Sequence, residues 1–255
     1  MMSFRIQKIQ AIRQKLKLGV PSIGSWLQIP HTSVAEILGQ SGYDWIVVDM
    51  EHGSIGVNQL PDLFRAIELG NTLPLARLAK ADATHCKQAL DAGAGGIVAP
   101  MIEDAEHLRF VKEASCWPPI GKRGVGYSRA NLFGKNFNAY KDEAQSPLLI
   151  AQIEDINAVN NLEEILQVDG LDAIIVGPYD LSASMGITGK FEDKEFSGVM
   201  HNIIKLCAKY NVPCGDHIVQ PNVKLLDERI YQGYNFIAYS TDACFIYNSC
   251  INPKH

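Results

Sequence analysis

The chain of 255 residues carries 23 lysines and arginines against 28 aspartates and glutamates, a net charge of −5, and 47% of its residues are hydrophobic. This balance fits a globular chain with a sizeable core and argues against disordered and fibrous classes. Mild acidity without a Lys/Arg stripe argues against a nucleic-acid or anionic-membrane surface, so small molecules are the expected partners.

In chain order, residues Phe4–Lys17 read as a helix that precedes the first strand. The opening residues have no apolar core of a secretory signal, and no run of about 18 apolar residues follows to span a membrane. Eight apolar, β-rich runs come next: Ser22–Ile29, Asp44–Glu51, Leu73–Ala79, Gly95–Met101, Pro147–Glu154, Asp172–Pro178, Val212–His217 and Asn235–Thr241. Between them lie stretches of helical period, several opening on Asp, Asn or Thr and closing on Gly, as capping predicts. Continuously apolar strands belong to a parallel sheet covered on both faces, and eight βα units in this length predict an α/β fold. The expected architecture is a (β/α)₈ TIM barrel with an extra N-terminal helix, residues 1–255 forming a single domain. A doubly wound open sheet would carry a Gly-rich turn after its first strand, and QIPHTS is not one. The gap Pro118–Ser146 is rich in Gly, Asn and basic residues and is too long for a plain connection, so it reads as functional or interfacial. Cys86, Cys116, Cys207, Cys214, Cys244 and Cys250 show no CxxC spacing, which points to reduced thiols in a cytoplasm.

A barrel of this kind builds its site where the strands stop. There the runs turn polar: Trp26 and Gln28 on the first, Asp49, Glu51 and His52 on the second, Arg77 on the third, Gln152 and Glu154 on the fifth. The sixth leads through Gly177, Pro178 and Tyr179 to Asp180, and the seventh ends in Asp216 and His217. Glu154 and Asp180, with the amide of Gln152, present hard oxygen ligands suited to Mg²⁺, Mn²⁺ or Co²⁺. Alternatively, both acids cap the helices that follow them. His52 beside two carboxylates is a candidate general acid or base. Arg77 at the end of an apolar strand needs an anionic partner, either a substrate carboxylate or an internal ion pair with Asp49 or Glu51. No lysine ends the fifth or sixth strand, which weakens a Schiff-base mechanism.

The segments VVDMEHG, PLARLAK, GAGGIVAPMIEDAEH, KRGVGYSRANLFG, LIAQIED and IIVGPYDLSASMG, in this order, resemble the HpcH/HpaI aldolase family, the class II metal-dependent pyruvate aldolases. The resemblance runs from about Ile23 to Thr241. It implies a (β/α)₈ barrel, typically a homohexamer, that cleaves a 2-keto-3-deoxy or 4-hydroxy-2-keto acid to pyruvate and an aldehyde. It further implies Glu154 and Asp180 as metal ligands, with Gln152 and the Gly177-Pro178-Tyr179 backbone in the pyruvate site. By the same resemblance His52 transfers the proton, Arg77 stabilises the transition state, and Asp91 raises the basicity of that histidine. Asp91 lies late in a helix, away from the mouth of its own barrel, so a neighbouring subunit or an indirect coupling is expected. Tyr179 stands where some relatives carry a small residue, which leaves the acceptor aldehyde open. The alternative enzyme reading is a citrate-lyase-β-like or phosphoenolpyruvate-type barrel acting on a CoA thioester or a phosphorylated substrate, but no phosphate-binding turn follows the seventh or eighth run.

Overall fold

The computed structural model describes residues 3–252. Eight parallel strands close into a barrel in chain order: β1 (Ser22–Leu27), β2 (Trp45–Asp49), β3 (Leu73–Arg77), β4 (Gly96–Ala99), β5 (Leu148–Ile153), β6 (Ala173–Val176), β7 (Cys214–Ile218) and β8 (Phe236–Thr241). All eight expected runs form strands, and the helix Phe4–Lys17 has the expected bounds.

Side chains on successive strand residues point to opposite faces. Trp26, Val47, Leu75, Val98, Ile150, Ile175 and Ala238 therefore pack inside the barrel, while Leu27, Ile46, Val48, Ala76, Ile97, Ala151 and Ile237 pack beneath the surrounding helices. Ile9, Ile12 and Leu16 of the first helix join the interior cluster and close its lower end. Near that end the rings of Trp45 and Phe236 stack with centroids 4.4 Å apart. Gly24 opposes them because a Cβ there would stand 2.1 Å from the Trp45 ring.

Several apolar runs outlast their strands for a local reason. The second stops at Asp49, whose Oδ1 accepts the amides of Glu51 and His52 at 3.1 and 3.2 Å and turns the chain out of the sheet. The segment 118–146 is ordered: a 3₁₀ turn Arg129–Asn131 and a helix Phe137–Gln145 pack Ala130, Tyr140 and Ala144 against Trp117. Three helices go beyond the sequence expectation, Phe137–Gln145, Pro178–Ser184 and Asp242–Ser249. All six cysteines are free, and among the described residues no helix is long and apolar enough to cross a membrane.

Candidate active site

The C-terminal ends of the strands gather most of the expected residues. Arg77, at the end of β3, donates from Nε to Asp49 Oδ1 at 2.9 Å and from Nη2 to Oδ2 at 2.7 Å, and its Nη1 lies 2.9 Å from Glu51 Oε2. The internal ion pair is thus the realised partner of this buried guanidinium. Its Cζ also stands 4.3 Å from the ring centroid of Trp26, a cation–π distance. Burial acts to raise the Asp49 carboxyl, and the hydrogen bonds and charge of Arg77 outweigh it and hold the group below its ordinary value. Gln28 adds a hydrogen bond to Asp49 at 3.0 Å.

On the opposite wall Glu154 is buried immediately after β5. Its Oε1 accepts the Met101 amide at 2.6 Å and its Oε2 accepts from the Gln152 side chain. Met101 holds φ at +51°, a left-handed backbone that is strained for a side chain with a Cβ, and that turn aims its N–H at Glu154. Even so, burial first, then the negative charges of Glu51 and Asp180, push the Glu154 carboxyl up to about 7. Glu51 is raised likewise by burial, with Arg77 and His52 pulling it back. A Cβ on Gly177 would lie 3.0 Å from Glu154 Cβ and Oε2, so glycine there leaves room beside the carboxylate.

Glu154 does not cap the next helix. Asp155 does, accepting the Asn157 amide at 2.7 Å. Asp180 is exposed in the first turn of the helix Pro178–Ser184, where its charge is also favourable to the helix dipole. Tyr179 is exposed and meets the Phe191 ring edge-on at 4.9 Å. His52 is exposed above the Asp49–Arg77 pair and close enough to Glu51 to favour its ionised form.

Two residues lie away from the mouth: Asp91, as its place late in a helix implied, and Asp216. Asp91, in the helix Ala83–Ala92, is half-buried beside Arg123 and Lys87, and its carboxyl is raised by burial. One chain does not bring it to His52. Asp216 points out of the barrel, its Oδ2 2.7 Å from Arg229 Nε, because it alternates with the inward-facing His217. Met101 and Ser240, both with positive φ at the mouth, carry no signal in residue type.

The donor set suits a divalent cation. Glu51, Glu154 and Asp180 oppose one another's ionisation, and the buried Gln152 Oε1 has no hydrogen-bond partner. Among the described residues no three His, Cys, Asp or Glu side chains come together as a closed metal cage. A pair of carboxylates with open positions is the pattern of a catalytic ion rather than a structural one. A cavity of about 940 Å³ runs from Pro178 and Tyr179 along β7, past Asp216 and His217, to Arg229 and Tyr234, and neither Glu154 nor Asp180 lines it.

The family model described as HpcH/HpaI aldolase/citrate lyase matches residues 22–253. A hydroxypyruvate/pyruvate aldolase of Roseobacter denitrificans is 31% identical over 243 residues, covering 94% of each chain. A 2-dehydro-3,6-dideoxy-6-sulfogluconate aldolase of Pseudomonas putida is 35% identical over 229 residues, covering 89% of each. The crystal structure of an HpcH/HpaI aldolase/citrate lyase family protein from Burkholderia cenocepacia superimposes with a TM-score of 0.88 at 29% identity, over 94% of this chain and 95% of that one. With its barrel, its strand-end acids and these relatives taken together, the chain belongs to the HpcH/HpaI aldolase/citrate lyase family.

Proposed function

We propose that the chain is a carbon–carbon lyase that reversibly cleaves a 2-keto-3-deoxy or 4-hydroxy-2-keto acid to pyruvate and an aldehyde, with Glu154 and Asp180 holding Mg²⁺, Mn²⁺ or Co²⁺. The observation that carries this reading is the grouping of Glu51, Glu154 and Asp180 at the barrel mouth beside the unpartnered Gln152 Oε1, where burial first and the two neighbouring negative charges further push the Glu154 carboxyl up to about 7. A divalent ion bound there supplies Lewis acidity toward the keto acid.

The chain's own residues do the rest. Gln152 and Gly177 shape the floor against which the pyruvate half lies. The amides of Tyr179 and Asp180, in a first helical turn that leaves such groups without intrahelical acceptors, face the substrate carboxylate. Trp26 walls the opposite side. Arg77, fixed in place by Asp49, offsets negative charge as it develops on the pyruvate oxygen. His52 takes the proton from the hydroxyl at the bond to be broken; that C–C bond then cleaves with its electron pair staying on the pyruvate half, and the aldehyde leaves. In condensation the proton returns by the same path.

The test is proton exchange of the pyruvate methyl group in D₂O, followed by NMR. Exchange is expected with Mn²⁺ or Mg²⁺ and none with EDTA, and borohydride in the presence of pyruvate should not inactivate the protein. Wild-type protein that fails to exchange, or that traps pyruvate on a lysine, would sink the reading. His52→Ala is expected to slow aldol cleavage by about 10²–10⁴-fold. Exchange should fall less, since it requires no proton transfer at the distal hydroxyl.

The working state proposed is a cytoplasmic homohexamer, in which free thiols stay reduced. Ile120, Val125, Tyr127, Leu132 and Phe133 are exposed on the segment 118–146 and support an interface there, and Asp91 would reach His52 only from another copy. Light scattering should give six copies per particle. A fully active monomer at nanomolar concentration would overturn the assembly.

A further inference from the structure

Arg77 is held from β1 as well as from Asp49. Trp26, on the inner face of β1, lies against the guanidinium, with Arg77 Cζ 4.3 Å from its ring centroid. Gln28, two residues on, turns the same way and donates from Nε2 to Asp49 Oδ2 at 3.0 Å, the oxygen that also receives Arg77 Nη2 at 2.7 Å. Gln28, Asp49 and Arg77 thus form a row across the ends of three neighbouring strands, β1, β2 and β3. Where the guanidinium stands therefore depends on where the end of β1 is fixed.

The fastening lies just beyond β8. Along the β1–β8 pairing Gly24 opposes Ala238 while Trp26 opposes Thr241, so β8 carries one residue more than β1 over this stretch. Ser240 sits in that bulge with φ at +60°; its carbonyl accepts Ser25 Oγ at 3.2 Å, and its own hydroxyl donates to the Val219 carbonyl at 2.9 Å, which pins the bulge on both sides. With the register advanced, Thr241 is the last strand residue, and the helix Asp242–Ser249 begins where strand carbonyls would otherwise meet the amides of Gln28 and Ile29. The buried Asp242 side chain takes their place: Oδ1 accepts the Gln28 amide and Oδ2 the Ile29 amide, both at 2.9 Å. Oδ1 also takes the Ala243 amide at 2.8 Å, so the carboxylate is buried with donors on both oxygens. Helix capping does not account for this reach across to β1, since Thr241 caps the helix by accepting the Cys244 amide at 3.1 Å.

Resting on the lyase reading, we propose that Asp242 and Gln28 are positioning residues for Arg77. Asp242 clamps the end of β1, Gln28 carries that constraint to Asp49, and Asp49 presents the guanidinium, braced by the Trp26 ring, to the pyruvate oxygen on which negative charge develops. Both residues act through Arg77.

The experiment follows pyruvate methyl exchange in D₂O with saturating Mg²⁺ for Gln28→Met, Asp242→Ala and Asp242→Asn, each alone and combined with Arg77→Met. A shifted guanidinium loses charge stabilisation in the transition state, so Gln28→Met should lower kcat about tenfold while KM for pyruvate moves by less than about threefold. Asp242→Ala, which frees Trp26 and Gln28 together, should lower kcat at least as far, and Asp242→Asn, which keeps one acceptor oxygen, should lose less. Exchange in Arg77→Met, slower by about 10²–10³-fold, is read with more enzyme and longer incubation. In that background the same three changes should alter the rate by less than about twofold, because the group through which they act is gone. A merely structural role would instead cost the same factor in both backgrounds. Circular dichroism at the assay temperature checks folding. Gln28→Met and Asp242→Asn carry the test if Asp242→Ala does not fold, and Asp49→Leu with Arg77→Met serves as the background if Arg77→Met alone does not. An unaltered kcat in the single variants, a loss confined to KM, or equal losses in both backgrounds would overturn the assignment while leaving the lyase reading in place. Wild type without exchange removes the lyase reading and the positioning roles with it.

Discussion

Glu154→Gln is expected to abolish pyruvate exchange and aldol cleavage, by about 10³-fold or more, and at the same time to make the metal-free protein more stable above pH 7. The first effect follows from losing a charged ligand of the proposed ion, whose Lewis acidity would be worth several kcal/mol, each 1.36 kcal/mol being about tenfold in rate. The second follows from the raised carboxyl, at about 7 against an ordinary 4.5. Between those two values the folded protein holds a proton that the unfolded chain has released, so stability falls as pH rises through this window. Below it the proton is bound in both states and no penalty exists. Above it the ionised group costs the fold up to about 3 kcal/mol at 1.36 kcal/mol per unit. Glutamine removes that cost, and in EDTA at pH 8 the variant should melt several degrees above wild type. At pH 4.5 the advantage should vanish. Adding Mn²⁺ should raise the melting temperature of wild type alone, because only it binds the ion when folded. Calorimetry showing the variant less stable at pH 8, or NMR showing retained exchange, would contradict the assignment of Glu154.

The barrel was legible because burial on both faces forces each strand to be apolar throughout, and that signal survives in single runs such as Trp45–Val48. Where the runs stopped was less legible. The end of β2 depends on Asp49 bending back to accept two amides, a decision of side-chain geometry that an apolar run does not encode. The helix Pro178–Ser184 spans seven residues, too few for helical periodicity to separate it from the strand before it. At the site, Trp26, Arg77, Gln152 and Glu154 stood out as polar or bulky groups at strand ends. Met101 and Ser240 did not, because what they contribute is a left-handed backbone that any residue type can be forced into. Strict alternation along β7 was the available signal for separating Asp216 from His217. Asp91 is a different case: the family resemblance implied a role beside His52, while its place late in a helix already put it away from the mouth, and the fold holds it beside Arg123.

The pairing of Arg77 with Asp49 should govern stability as strongly as Glu154 is expected to govern chemistry. Arg77 is 6% exposed and Asp49 is fully buried, and between them run two hydrogen bonds. Breaking such a pair by removing one partner leaves an uncompensated buried charge, at a cost of about 3–5 kcal/mol. Asp49→Ala also strips the acceptor from the amides of Glu51 and His52, so its loss should lie at the upper end of that range. Glu51 remains 2.9 Å from Arg77 Nη1, but it is partly exposed and burial raises its carboxyl, so it offsets less than Asp49 does. Removing both charges together, as Asp49→Leu with Arg77→Met, should be far milder than the sum of the single changes, because no buried ion is left unmatched. Urea unfolding of the two single variants and the double variant measures this directly; additive losses, or an Asp49→Ala change below about 1 kcal/mol, would mean that solvent already screens the pair. The same series bears on catalysis. If Asp49 serves to hold Arg77 against the pyruvate half, Asp49→Asn, which still offers an acceptor to the amides and to the guanidinium, should retain more of both cleavage and pyruvate exchange than Asp49→Ala.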